Sequence, residues 1–180
     1  ALHFGSKYML RRRVEVQGVS AGHVLGATGF FIQTKDVRIF YTGDISFDEQ
    51  ELVHGADLPH RKVDILISEC TYANDPSSSE LYAQEEDRLV KDIVEILSQG
   101  GAVLMPVFAL GKTQEMLAKL YRMKSEQRIP DVPIYVSGLG RVVSRIYNKY
   151  TRYLRREGLP PIPLDRVGEV IDGYEKSSVR

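Results

Sequence analysis

From residue 63 onward, short apolar runs alternate with segments of helical periodicity, and this alternation constrains the fold more than any other feature of the chain. Residues 63–67 (VDILI) read as a strand buried on both faces. Asn74-Asp75-Pro76 marks a loop, and Ser77-Ser78-Ser79-Glu80 carries a capping-box signal. Leu89, Val90, Ile93, Val94 and Leu97 then recur at helical spacing as far as Gly100-Gly101. Residues 102–108 read as a second buried strand, and 113–123 as a helix with Met116, Leu117 and Leu120 on one face. Residues 133–137 read as a third strand and 138–156 as a third helix, followed by Gly158 and Pro160-Pro161. Strand followed by helix, three times over, is the pattern of parallel α/β units.

The first part of the chain differs. Residues 12–46 read as β-structure, in which Val14 and Val16 alternate with polar neighbours. Two apolar runs, 30–34 and 37–41, are separated by Lys35-Asp36, a hairpin turn. The fold class expected is α/β, with a boundary dividing 1–73 from 74–180.

A chain of 180 residues is long enough for one domain or two small ones. Lys plus Arg and Asp plus Glu are both 24, which excludes a globally basic nucleic-acid binder but leaves room for a local basic stripe. Cys70 stands alone, so an internal disulfide and a Cys-rich zinc fold are excluded. No apolar run approaches a membrane span, and residues 1–13 lack the apolar stretch of a signal peptide. The simplest compartment is the cytoplasm, with no membrane partner.

Two glycine-containing turns invite phosphate chemistry. Leu110-Gly111-Lys112-Thr113 follows a strand pattern, but a P-loop needs glycine five residues before Gly111, where Pro106 offers no N–H. What survives is a helix N-terminus beside Lys112 that could hold one backbone phosphate. Gly138-Leu139-Gly140 lacks the later glycine of a dinucleotide fingerprint, since Val143 stands there, and reads as a tight strand-to-helix turn.

Of four histidines, His3 lies in an N-terminal stretch without a clear pattern, and His54 and His60 lie in a polar, solvated segment. His23 sits among small residues that let the backbone approach something bound; it is either a metal ligand or a structural histidine. Asp44 and Glu69 each end an apolar run, and each is either a site carboxylate or a turn residue. Imidazole with carboxylates is a ligand set for zinc, or for two zinc ions sharing a bridging oxygen.

Four stretches together carry a family resemblance: SAGHVLGA at 20–27, YTGDIS at 41–46, ISECTY at 67–72 and PVFALGKTQEML at 106–117. In this order they resemble the metallo-β-lactamase-fold nucleases of the β-CASP group. That group includes the endonuclease subunit of the eukaryotic cleavage and polyadenylation machinery and related bacterial and archaeal RNases. The resemblance implies the second half of a metallo-β-lactamase-like αββα sandwich, followed by the first part of a parallel α/β β-CASP domain. It implies a zinc-dependent ribonuclease with two Zn2+. It makes His23 a ligand of one zinc, Asp44 a bridge between both, and Glu69 an acidic residue that orients a downstream histidine acting as general acid. Cys70, Ala73 and Lys112 depart mildly from the group's pattern, which has a small hydroxyl residue, glycine and arginine there.

The group's principal metal motif, His-x-His-x-Asp-His, is missing: no H-x-H occurs, and no histidine follows His60. The expectation is therefore an internal fragment, inactive and without tightly bound metal by itself, of a longer enzyme. The alternatives are a catalytically inactive nucleic-acid-binding or scaffolding relative, and a hydrolase of the same fold with another substrate.

On the substrate side, Val143, Ile146, Tyr147, Tyr150 and Leu154 form an apolar stripe, while Arg145, Lys149, Arg152 and Arg156 share another face with no acidic residue from 141 to 156. That face is either a solvated helix surface or, with Lys112, a track for RNA phosphates. Tyr147, Tyr150 and Tyr153 could stack on bases, although core packing is expected of the first two. RNA is the expected partner, with single-stranded DNA as the alternative, and a homodimer is a further expectation beside it.

Overall fold

The computed structural model describes residues 3–10, 13–58, 60–71, 80–136 and 138–155. The loop at 74–76, the capping box at 77–80, Arg156 and the glycine and prolines at 158–161 lie outside the described residues or side chains. The chain divides into two compact units, Ala1–Asp75 and Pro76–Arg180. It is mixed α/β, with a five-stranded sheet and three α-helices among the described residues.

The sheet belongs to the first unit. β1 (Lys7–Met9), β2 (Glu15–Ser20), β3 (Thr28–Gln33) and β4 (Arg38–Tyr41) form an antiparallel meander, and β5 (Ile65–Ile67) adds parallel to β4. Aromatic and β-branched residues fill β3 and β4, as a pleated, half-buried surface favours. The turn at Lys35-Asp36 is closed by Thr34, whose hydroxyl accepts the N–H of Asp36 and of Val37. Its register places Phe31 opposite Phe40, and these two with Val19 make the core, flanked by Leu58 and Val63. Phe31 is 2% exposed, so truncating it to alanine costs about 3–5 kcal/mol.

Three expectations change here. β1 was not anticipated. In β2 the residues Val16, Gln17, Gly18 and Val19 are all buried, so the strand does not alternate. β5 is not covered on both faces: Ile65, Leu66 and Ile67 are 47%, 60% and 50% exposed, and among the described residues it is an edge strand beside β4.

The second unit contains α1 (Glu80–Ser98), α2 (Lys112–Ser125) and α3 (Leu139–Lys149), with a 3₁₀ turn at Thr151–Tyr153. Its core is Ile93, Leu120, Met123 and Ile129, with Leu89, Val90, Leu97 and Met116 packed around it. α1 stops where the Gly100 and Gly101 N–H groups bond back to the Leu97 and Ile96 carbonyls, with Gly100 at φ 75. Glu86 of α1 is the hub of an ion-pair cluster with Lys119, Arg122 and Arg128.

Residues 102–108 and 133–136 form no strand among the described residues. Val103, Met105 and Ile134 lie against the helices, while Leu104, Phe108 and Tyr135 are 90%, 82% and 55% exposed. The alternation of a strand face is present. The ladder hydrogen bonds that make a strand are not, since no extended neighbour pairs with either segment among the described residues. α3 is also shorter than 138–156: Tyr150 leaves the α-helical region at φ -113, ψ 26, and the backbone tightens to 3₁₀.

Candidate active site and basic face

Three loops of the first unit carry the residues singled out by sequence, and backbone hydrogen bonds tie them together. Gly22, next to His23, bridges to Ile45, next to Asp44. Ser46 N–H donates to the Ala21 carbonyl at 2.9 Å, and Ala56 N–H donates to the Ser46 carbonyl at 2.7 Å. Gly22 has φ +71, and a Cβ there would meet the Ser46 carbonyl oxygen at 2.3 Å and the Ala56 nitrogen at 2.4 Å. Only glycine fits. Gly22 therefore makes room for the chain's own backbone, whereas Gly26 faces open space.

Glu69 closes the arrangement. Its Oε1 accepts the Ile45 N–H at 2.9 Å and its Oε2 accepts the Thr71 N–H at 3.2 Å. The Thr71 hydroxyl, then these two N–H donors, hold the carboxyl below its usual range, with a smaller contribution from the nearby charge of His23. Glu69 is thus an ionised clamp at neutral pH. His23 and Asp44 are exposed. A groove of about 250 Å³ in the same unit is lined by Phe31, Phe40, Ile45, Leu66 and Arg61 among others, and by none of the three.

Gln50 was missed by sequence reasoning. Its Nε2 donates to the Gly22 carbonyl at 2.7 Å and to the His23 carbonyl at 3.1 Å, fixing the backbone that presents the imidazole. A lone glutamine in a polar stretch gives no sequence signal. His54 pairs with Glu49 at 3.1 Å in a solvated position, as expected.

Imidazole and carboxylate are donors that zinc accepts, so His23 and Asp44 fit the ion in kind. They are two donors, and among the described residues no group of three or more His, Cys, Asp or Glu is placed to hold a metal.

The second unit contributes a different element. At the start of α2, Gly111 N–H donates to Gln114 Oε1 at 2.9 Å, and the Lys112 and Thr113 N–H groups go to the Leu110 and Phe108 carbonyls. The helix N-terminus is therefore closed to a phosphate at these three donors, and only the exposed Lys112 side chain remains. Gln114 is 0% exposed, and its Nε2 donates to the Gly140 carbonyl at 3.2 Å and to Ser144 Oγ at 3.0 Å. One amide thus latches the start of α2 to the start of α3.

On α3, Val143 and Tyr147 are buried at 9% and 1%, whereas Ile146 and Tyr150 are 49% and 39% exposed. The stripe is core on one edge only, and Tyr150 is not the core residue that was expected. Arg145, Lys149 and Arg152 are all exposed.

The chain is mixed α/β, with the loops of His23, Asp44 and Glu69 tied together in its first unit and exposed basic residues on α3 in its second, and it has relatives among known proteins. The chain is 38% identical to Endoribonuclease ysh1 of Schizosaccharomyces pombe over 148 residues, which is 78% of this chain and 19% of the relative. It is 38% identical over 152 residues to Cleavage and polyadenylation specificity factor subunit 3 of Dictyostelium discoideum, covering 80% of this chain and 19% of that protein. It is 29% identical over 153 residues to an RNase J-like protein of Methanocaldococcus jannaschii, covering 85% and 36%. No family model matches. The chain is homologous to these proteins, and it spans about a fifth of the eukaryotic relatives' length.

Proposed function

We propose that this chain is part of a zinc-dependent ribonuclease that hydrolyses RNA phosphodiester bonds in RNA processing or decay. The first unit would be the later half of a metallo-β-lactamase-like domain and the second the beginning of a β-CASP domain. The observation that carries this reading is the tie of Glu69 to Ile45 and of Ile45 to Gly22, which gathers the loops of His23 and Asp44.

His23 and Asp44 would hold the metal, which supplies an activated water and charge stabilisation at the phosphoryl oxygens. This chain's residues have three tasks. Gln50 and Glu69 fix the backbone on either side of the donors. His23 and Asp44 present an imidazole and a carboxylate to solvent. Lys112, Arg145, Lys149 and Arg152 attract the phosphate backbone without reading sequence.

The test is made in the longer protein that contains this segment. Replacing Asp44 by Asn should abolish cleavage of single-stranded RNA while leaving RNA affinity within about twofold, because the acid is proposed to act on metal and not on RNA. Undiminished cleavage would overturn the reading. A parent protein that binds RNA but never cleaves it would establish the scaffolding alternative.

A further inference from the structure

The basic face carries a second pattern: a cation followed by tyrosine, twice, three residues apart, as Lys149-Tyr150 and Arg152-Tyr153. The structure gives that spacing a meaning. α3 ends at Lys149 and the chain continues as a 3₁₀ turn, in which residues three apart lie one above the other. Tyr150 and Tyr153 therefore emerge on one side, their ring centroids 6.4 Å apart and their planes at 40°. The turn is fixed by Tyr153 N–H on the Tyr150 carbonyl at 2.9 Å and Leu154 N–H on the Thr151 carbonyl at 3.1 Å.

Both rings are outside the core. Tyr150 is 39% and Tyr153 50% exposed, against 1% for Tyr147 one turn earlier. Each ring has a cation over it: Lys149 Nζ lies 5.8 Å from the Tyr150 centroid, and Arg152 Cζ 4.8 Å from that of Tyr153. Arg145 extends the charge along α3. No carboxylate among the described residues pairs with Arg145, Lys149 or Arg152.

Exposed flat rings bordered by unpaired cations fit a ligand that has both phosphates and accessible base faces. Unpaired nucleotides have both. A duplex offers its phosphates but keeps its bases stacked inside, and an acidic protein surface would meet the cations without needing the rings. We propose that Tyr150 and Tyr153 form a stacking platform for unpaired bases, with Lys149 and Arg152 holding the flanking phosphates. Arg152 Cζ already lies over the Tyr153 ring, and guanidinium groups also accept bases. The proposal rests on the basic-face reading above and deepens it by naming the two rings that contact the bases.

The experiment uses the 180-residue chain with labelled oligo(A), oligo(U) and an RNA duplex, measured by fluorescence anisotropy across a salt series. The Tyr150→Leu/Tyr153→Leu double variant keeps apolar bulk and loses the rings. It should lose roughly 10- to 100-fold in oligo(A) affinity with an unchanged salt slope, and should bind duplex as the parent does. The Tyr150→Phe/Tyr153→Phe variant should retain binding. Arg145→Ala/Lys149→Ala/Arg152→Ala should instead flatten the salt slope for both ligands.

Single-strand affinity unchanged in the leucine pair overturns the platform, and the phosphate reading survives if the alanine triple is still weakened. If neither set changes binding, both readings fail. Equal losses on oligo(A) and duplex, or loss in the phenylalanine pair, also overturn the platform. A second measurement needs no variant: the chain has no Trp and 10 Tyr, so tyrosine emission can be read directly. It should be quenched by oligo(A) and not by duplex; equal response to both overturns the proposal.

Discussion

Glu69 Oε1 accepts the backbone N–H of Ile45 at 2.9 Å, across 24 positions of sequence. Ile45 also bridges to Gly22, so one backbone position joins all three loops of the candidate site. The carboxylate acts on the geometry of its neighbours through that amide.

Replacing Glu69 by alanine should therefore loosen the loop of Asp44 before it affects the rest of the sheet. Hydrogen exchange at the Ile45 amide should rise about tenfold, the worth of one bond to a charged acceptor, with Phe31 and Phe40 amides unchanged. Glu69→Gln should be intermediate, since its carbonyl oxygen can still accept one N–H. The carboxyl is held below its usual range. The clamp is therefore complete above ordinary carboxylate pKa values and fails as pH falls through the lowered one. An Ile45 amide indifferent to all three conditions would show that Glu69 holds nothing.

The sequence made the strand hairpin at Lys35-Asp36 readable, because turn chemistry is local and Thr34 supplies its own closing bonds. It made the helices readable through their periodicity, although the third was expected to run to 156 and ends at Lys149. It could not show that residues 102–108 and 133–136 lack strand partners, since ladder bonding is a property of the neighbour and not of the run itself. At the site, His23, Asp44 and Glu69 were visible as residue types in familiar motifs. Gln50 and Gln114 were not: each acts through hydrogen bonds to backbone 26 to 28 residues away, and a neutral amide has no distinguishing pattern.

Glu86 should set the acid stability of the helical unit. Burial pushes its carboxyl up, but Lys119, Arg122 and Arg128 outweigh that and hold it at about 2. The folded value lies below the unfolded one, so the stabilisation is present above the ordinary glutamate range and is lost as pH falls towards 2. Partial solvent screening limits it to about 2 kcal/mol. Glu86→Gln should lower the unfolding free energy read from urea titration of the 222 nm signal at neutral pH by about that amount. The gap between variant and parent should close progressively in acid. A gap independent of pH would assign the loss to packing.

Gln114→Leu should destabilise the second unit by about 1–3 kcal/mol, because it leaves the buried Gly111 N–H without its acceptor, while the Gly140 carbonyl keeps the Ser144 hydroxyl. Ser144→Ala should cost less, since the Gln114 amide keeps its bond to Gly140. Helical unfolding monitored by circular dichroism ranks the two. Equal losses would mean that the latch works through Ser144.

Zinc should be retained below one equivalent per chain after dialysis against a chelator, because two donors hold an ion weakly. Added in excess, it should shift the NMR resonances of His23 and of the amides of Val24 and Ile45, and His23→Ala should remove those shifts. Shifts centred on His54 and Glu49 instead would move the metal away from the proposed site.

The meander has a consequence for the order of assembly. β1 to β4 are neighbours in space as they are in sequence, so their pairing closes only short loops, which is fast. β5 reaches β4 in parallel only after the excursion through residues 42–64, which includes Asp44. The Glu69 clamp lies beyond β5, so it can engage Ile45 only once that long loop has closed. The candidate site is therefore the last part of the first unit to form and the first to open. Native-state exchange should show this as earlier opening at the Ile45 amide than at Phe31, and the reverse order would refute it. Competence for metal and integrity of the fold are then separate events on one chain, reached at different times.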